Sequence, residues 1–208
     1  MARVHVKVCG VRSVDDARMC IDAGVSAIGL NFVSSSQRFV DVATARAISD
    51  AVHETKAKVY IVGVVADRPE DDLRRLVDEA RLDCLQFHGD ESAELVSRFL
   101  PHSYKAIRVA GEADIARART FPGDYVLVDA YVAGALGGTG AVFDWSLARD
   151  LARERKLTLA GGLTPRNVAE AARAVMPYCV DVASGVESRG PGIKDPDLVR
   201  EFVRAAQT

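Results

Sequence analysis

Cys9 and Asp129 each close a run of apolar, β-prone residues in this 208-residue chain, and a thiol and a carboxyl facing one substrate can serve as base and acid. That chemistry requires their protonation to be tuned in opposite directions, so that one receives a proton and the other gives one. Spacing alone leaves a second reading open, because a buried cysteine commonly only packs and a strand-end aspartate commonly caps a loop or helix. Arg38 follows the polar stretch Ser34-Ser35-Ser36-Gln37, and its planar fork suits a carboxylate or phosphate, although a surface arginine is often only solvated. His88, between Phe87 and Gly89-Asp90-Glu91, reads either as a polar wall or proton donor of a site or as a loop histidine bonded to backbone.

Glycines gather late in the chain: Gly134, Gly137, Gly138 and Gly140, then Gly161 and Gly162, then Gly185, Gly190 and Gly192. Backbone free of side chains lets several N–H groups approach an anion, so the cluster predicts a phosphate seat, with tight turns as the alternative. Metal chemistry finds no pattern. His5, His53, His88 and His102 fall on different elements, and Cys9, Cys20, Cys84 and Cys179 include no C-x-x-C pair. No metal or other cofactor is expected, and the other three cysteines read as packing. Trp145 reads as the anchor of a helix.

The elements that must position these residues alternate regularly. Candidate strands are Val4 to Cys9, Ala27 to Val33, Val59 to Val65, Leu82 to Phe87, Tyr104 to Val109, Tyr125 to Asp129, Leu157 to Ala160 and Val180 to Ser184. Several are apolar at consecutive positions, as in Tyr60-Ile61-Val62-Gly63-Val64-Val65, which suits parallel strands covered on both faces. Between them the period becomes helical, with Leu73, Leu76, Val77 and Ala80, then Val168, Ala171, Ala172 and Val175, then Leu198, Val199, Phe202, Val203 and Ala206 on single faces. Ser13 with Asp16, Thr164-Pro165 and Asp195-Pro196 mark helix starts.

Eight such βα units predict an α/β chain, either a closed (β/α)8 TIM barrel or an open doubly wound sheet, read as one compact domain over residues 1–208. The count favours the barrel, and the first strand runs into Cys9-Gly10-Val11-Arg12-Ser13 where a nucleotide-binding sheet would want G-x-G-x-x-G. In a barrel the site lies at the C-terminal strand ends, where Cys9, Arg38, His88, Asp129, Gly161, Gly162, Ser184 and Gly185 all fall.

Composition narrows the partners. Lys and Arg number 27 against 29 Asp and Glu, a net charge of −2 with no basic run, which argues against nucleic acid. No apolar run approaches the roughly 20 residues of a membrane span. The start Met1 to Lys7 lacks the apolar core of a signal peptide, and the spaced cysteines suit a reducing compartment, so the expected location is cytoplasmic. Oligomeric state, monomer or homodimer, is not legible.

Read together, several segments resemble the phosphoribosylanthranilate isomerase family of tryptophan biosynthesis. They are Val6-Lys7-Val8-Cys9-Gly10, Leu85-Gln86-Phe87-His88-Gly89-Asp90-Glu91, Val128-Asp129-Ala130, Gly137-Gly138-Thr139-Gly140 with Phe143-Asp144-Trp145, Leu159 to Pro165 with Asn167-Val168, and Asp181 to Glu187 with Gly192 and Lys194-Asp195. The match runs in order through nearly the whole chain. The resemblance implies a (β/α)8 barrel catalysing an Amadori rearrangement of N-(5'-phosphoribosyl)anthranilate, a small phosphorylated substrate, without a cofactor. It implies Asp129 as general acid, Cys9 as the thiolate base, and Arg38 on the anthranilate carboxylate. It also implies Gly161, Gly162, Ser184 and Gly185 under the phosphate with the loop from Gly137 to Gly140 nearby, His88 as pocket wall, and Asp181 near the anthranilate amine. A histidine-pathway isomerase would be expected to carry aspartate where Cys9 stands, and an indole-forming synthase a lysine set not found here. A non-catalytic phosphate-binding barrel would more readily have lost Cys9 or Asp129. One departure stands out: the family usually has Ser-Pro-Arg where this chain has Ser36-Gln37-Arg38, which predicts a less restrained Arg38.

Overall fold

The computed structural model describes residues 4–129 and 145–208. Within them strands and helices alternate: β1 (His5–Cys9), α1 (Val14–Ala23), β2 (Ala27–Asn31), α2 (Val42–His53), β3 (Tyr60–Val65), α3 (Glu70–Ala80), β4 (Cys84–Phe87), α4 (Ala93–Ser97), β5 (Ser103–Arg108), α5 (Glu112–Thr120), β6 (Tyr125–Asp129), α6 (Ser146–Glu154), β7 (Lys156–Ala160), α7 (Val168–Val175), β8 (Cys179–Val182) and α8 (Pro196–Ala206). The strands are parallel and close in chain order, β8 pairing back onto β1. The closed barrel, not the open sheet, is therefore the architecture.

Local chemistry sets the boundaries. Ser13 caps α1 by accepting from the Asp16 N–H at 3.1 Å, and Asp195 caps α8 with Pro196 in its first turn. Most strand boundaries fall within a residue or two of expectation, and three departures bear on the strand ends and helix starts. β2 stops at Asn31, whose Oδ1 accepts from the Val33 N–H at 2.9 Å and turns the chain out of the sheet. β8 stops at Val182, and Ser184–Val186 form a single 3₁₀ turn. Thr164-Pro165 only leads into α7, because Asn167 Oδ1 takes the Thr164 N–H at 2.8 Å and holds a separate turn ahead of the helix.

Residues paired across parallel strands share a face. The register Lys7↔Ala27, Cys9↔Gly29, Lys7↔Asp181, Gln86↔Tyr104 and Arg108↔Asp129 therefore sorts every strand into inward and outward positions. Outward residues such as Val8, Leu30, Ile61, Phe87, Ile107 and Val128 are buried against the helices in one large cluster. Inward residues Val62, Tyr104, Ala106, Leu127 and Ala160 form a second, smaller one inside the barrel. Burial on both faces is why the strands read as continuous apolar runs. The inner set is not wholly apolar: Lys7, Gln86 and Asp181 are buried in it, directly beneath the strand ends.

A buried ion pair braces the loops above β3 and β4 from the outer face. Lys105 Nζ donates to Glu91 Oε2 at 3.0 Å and to the carbonyls of Phe87 and Gly89, while Glu91 accepts from the backbone N–H groups of Asp67 and Gly89. The two side chains are 1% and 2% exposed, so removing one strands a charge in the interior. Glu91→Ala is expected to cost about 3–5 kcal/mol, lowering Tm by roughly 6–20 °C in thermal denaturation followed by circular dichroism. A Tm unchanged within about 2 °C would show that the pair braces nothing.

Candidate active site

The strand ends enclose a cavity of about 260 Å³ lined by Cys9, Asn31, Arg38, Gln86, His88, Asp129, Gly161, Gly162, Asp181 and Ser184, among others. All the expected site residues except Gly185 thus meet in one opening. Gly185 lies in the 3₁₀ turn with its Cα against the Leu163 carbonyl, where a Cβ would collide, so its side-chain position serves packing. Gly161 and Gly162 have φ of 93° and 63°, the left-handed region that favours glycine, which turns the backbone sharply over the cavity after β7. The loop with Gly134, Gly137, Gly138 and Gly140, together with Ala130 and Phe143-Asp144, lies outside the described residues. Trp145 packs at the start of α6 against the outer core, as a helix anchor.

Cys9 and Asp129 are the last residues of β1 and β6, and inward register points both into the mouth. Burial raises the Cys9 thiol pKa, with the Asp181 carboxylate adding to the rise while Lys7 and Lys194 oppose it. Burial thus favours the neutral thiol, so the thiolate that the resemblance implies has to form as the substrate is activated. Burial also raises the Asp129 carboxyl, again with Asp181 adding and with Arg108 and Lys7 opposing, which favours a proton held for donation. Room for the sulfur comes from Gly29 on β2, where a Cβ would lie 2.8 Å from Cys9 Sγ.

Beneath them Lys7 Nζ donates to Asp181 Oδ2 at 2.8 Å and to Gln86 Oε1 at 2.9 Å. Burial alone would discharge this lysine, but the Asp181 carboxylate, with Cys9 and Tyr104 adding to it, holds the Lys7 pKa well above its ordinary value. Asp181 Oδ1 is buried without a partner among the described residues, a free acceptor below the cavity.

Arg38 lines the cavity but is not a free fork. Its Nε and Nη2 grip Glu187 at 2.8 and 2.6 Å, and Glu187 also accepts from the buried Lys194 at 2.7 Å. Burial of Glu187 would raise its pKa, yet Arg38 and Lys194 outweigh that and hold the carboxylate below its usual range. One edge of the guanidinium is thereby fixed, and the Nη1 side makes no hydrogen bond among the described residues. The restraint expected to vanish with the proline is supplied by Glu187 and by Ser36 Oγ accepting from the Arg38 N–H at 3.1 Å, while Gly10 leaves room for the side chain, since a Cβ there would strike Arg38 Cδ.

Sequence reasoning missed Lys7, Gln86, Glu187 and Lys194. The signal for the first two was present: a polar side chain in the middle of a strand buried on both faces must find a partner inside the barrel. Glu187 and Lys194 carried no such mark, since both lie in an irregular segment after β8.

Among the described residues no group of His, Cys, Asp and Glu could hold a metal ion, and no helix is long and apolar enough to cross a membrane. The fold is that of a (β/α)8-barrel protein whose mouth holds a thiol and a carboxyl facing one cavity. A family model described as N-(5'-phosphoribosyl)anthranilate (PRA) isomerase matches residues 6–205, and the chain belongs to that family. It is 45% identical over 210 residues to the N-(5'-phosphoribosyl)anthranilate isomerase of Myxococcus xanthus, covering 99% of this chain and 97% of that one. A Pseudomonas aeruginosa relative of the same name is 44% identical, covering 100% and 97%. Among solved structures, phosphoribosyl anthranilate isomerase from Thermotoga maritima superposes with a TM-score of 0.87 at 36% identity, covering 98% of each chain. A second, solved in complex with reduced 1-(o-carboxyphenylamino)-1-deoxyribulose 5-phosphate, gives 0.85 at 33% identity, again covering 98% of each.

Proposed function

We propose that this chain converts N-(5'-phosphoribosyl)anthranilate into 1-(2-carboxyphenylamino)-1-deoxyribulose 5-phosphate for tryptophan biosynthesis, with Asp129 as general acid and Cys9 as general base. The observation that carries the assignment of roles is that a half-buried thiol and a half-buried carboxyl face one cavity from β1 and β6. The product analogue bound in a relative supports the substrate class.

Asp129 protonates the ribose ring oxygen, and the C1–O bond breaks as the aniline nitrogen lone pair forms an iminium. The iminium acidifies the C2 hydrogen, and its positive charge beside Cys9 favours release of the thiol proton to solvent, leaving a thiolate that removes that hydrogen. The C–H electrons form the C1–C2 double bond of an enolamine, which tautomerises to the 2-ketone as the C2 hydroxyl loses a proton and C1 gains one. Atoms and electrons balance within the substrate, so the chemistry needs no redox or group-transfer cofactor. Arg38 presents its Nη1 side to the anthranilate carboxylate, Asp181 Oδ1 accepts from the anthranilate amine, and His88 walls the pocket beside Asp129. Backbone N–H groups around Gly161, Gly162, Ser184 and Gly185 seat the phosphate. Four free cysteines suit a reducing cytoplasm.

The test is loss of substrate fluorescence with freshly formed phosphoribosylanthranilate, followed across pH. Because the reaction needs one of the two groups protonated and the other ionised, kcat/KM is expected to be bell-shaped, and burial shifts both limbs upward. Its acid limb should lie above the ordinary carboxylate value of about 4, and its alkaline limb above the ordinary thiol value of about 8.5. No turnover, or a profile without the alkaline limb, would overturn the reading.

A further inference from the structure

We propose that Gln86 is a positioning residue that fixes His88 in the tautomer carrying its proton on Nε2, aimed at Asp129. This deepens the reading of Asp129 as the acid and rests on it.

The direction of the Gln86 amide is set from below. Lys7 Nζ, which can only donate, stands 2.9 Å from one terminal atom, so that atom must be the oxygen, and the Tyr104 hydroxyl donates to the same oxygen at 3.0 Å. The amide nitrogen therefore faces upward, 3.1 Å from His88 Nδ1. An amide N–H donating to Nδ1 requires a lone pair there, which leaves the single proton of a neutral imidazole on Nε2. Neutrality follows from the surroundings: burial first, then Arg108, Lys7 and Lys105, bring the His88 pKa down to about 4, against a smaller opposing pull from Asp181. On the far side of the ring, Nε2 stands 3.6 Å from Asp129 Oδ2.

The tautomer decides whether His88 helps or drains the acid. With the proton on Nε2 the ring offers an N–H to Oδ2, and that N–H stabilises the carboxylate that forms as Asp129 releases its proton. The gap of 3.6 Å is long for a hydrogen bond and has room to close as charge develops. With the proton on Nδ1, a bare Nε2 lone pair would face Asp129 and accept the proton intended for the ribose oxygen. Lys7, Tyr104 and Gln86 thus pass an orientation, and no proton, from the barrel interior to the mouth.

Long-range ¹H–¹⁵N NMR of the histidine-labelled protein reads the tautomer directly, with the His88 resonances assigned by their loss in His88→Asn. In wild type, Nδ1 should appear unprotonated and Nε2 protonated at neutral pH. In Gln86→Glu a carboxylate would accept from Nδ1–H, so the proton should move to Nδ1, with kcat lower by about tenfold or more and KM little changed. A wild-type ring protonated on Nδ1 would overturn the proposal, and that spectrum needs no variant to fold. So would Gln86→Glu keeping the wild-type tautomer, whatever its rate. Failure of the acid assignment shows separately, as full activity in Asp129→Asn with the tautomer intact.

Discussion

Cys9→Ser should lower kcat by about 10²–10⁴-fold while the fold and the affinity for a reduced product analogue stay within a few-fold of wild type. The substitution exchanges sulfur for a smaller oxygen in a niche that Gly29 already keeps open, so packing suffers little. What changes is acidity. The thiol is already raised by burial, and a serine hydroxyl starts several units higher, so no useful alkoxide forms at C2. Analogue binding by calorimetry and turnover by the fluorescence assay separate the two effects. Wild-type turnover in the variant would remove Cys9 from the mechanism.

Asp129→Asn is expected to produce a loss of similar size by a different route. The amide matches the carboxyl in shape and can still donate a hydrogen bond to the ring oxygen, but it cannot surrender a proton to it. Turnover should fall about 10²–10⁴-fold, and the residual rate should rise as pH is lowered and solvent acid substitutes for the missing group. Because ring opening precedes proton abstraction, the Cys9→Ser, Asp129→Asn double variant should be scarcely slower than the worse single one, as expected of groups that act as a unit. A kcat within twofold of wild type in Asp129→Asn would show that the proton comes from elsewhere.

The architecture was legible because its cause is local: strands buried on both faces advertise themselves as unbroken apolar runs, and helices by their stripes. Strand order then located Cys9, Arg38, His88 and Asp129 at one rim. Protonation was not legible, since the thiol's rise depends on burial and on charges from Lys7, Asp181 and Lys194, residues distant along the chain. The pairing of Arg38 with Glu187 was hidden for the same reason, as it joins the loop after β2 to the segment after β8. The packing constraint on Gly185 was not legible either, because glycine looks alike whether it admits a ligand or a neighbouring carbonyl.

The separation of outward-facing from inward-facing apolar clusters has a consequence for how such an enzyme can change. Adhesion between strands and helices is confined to one side of each strand, and the mouth is furnished from the other. Diversifying mouth-lining positions such as Val64 in a library aimed at new acceptors therefore leaves the strand–helix mortar untouched, whereas Leu127 and Ala160 also fill the inner cluster and tolerate only replacements of similar volume.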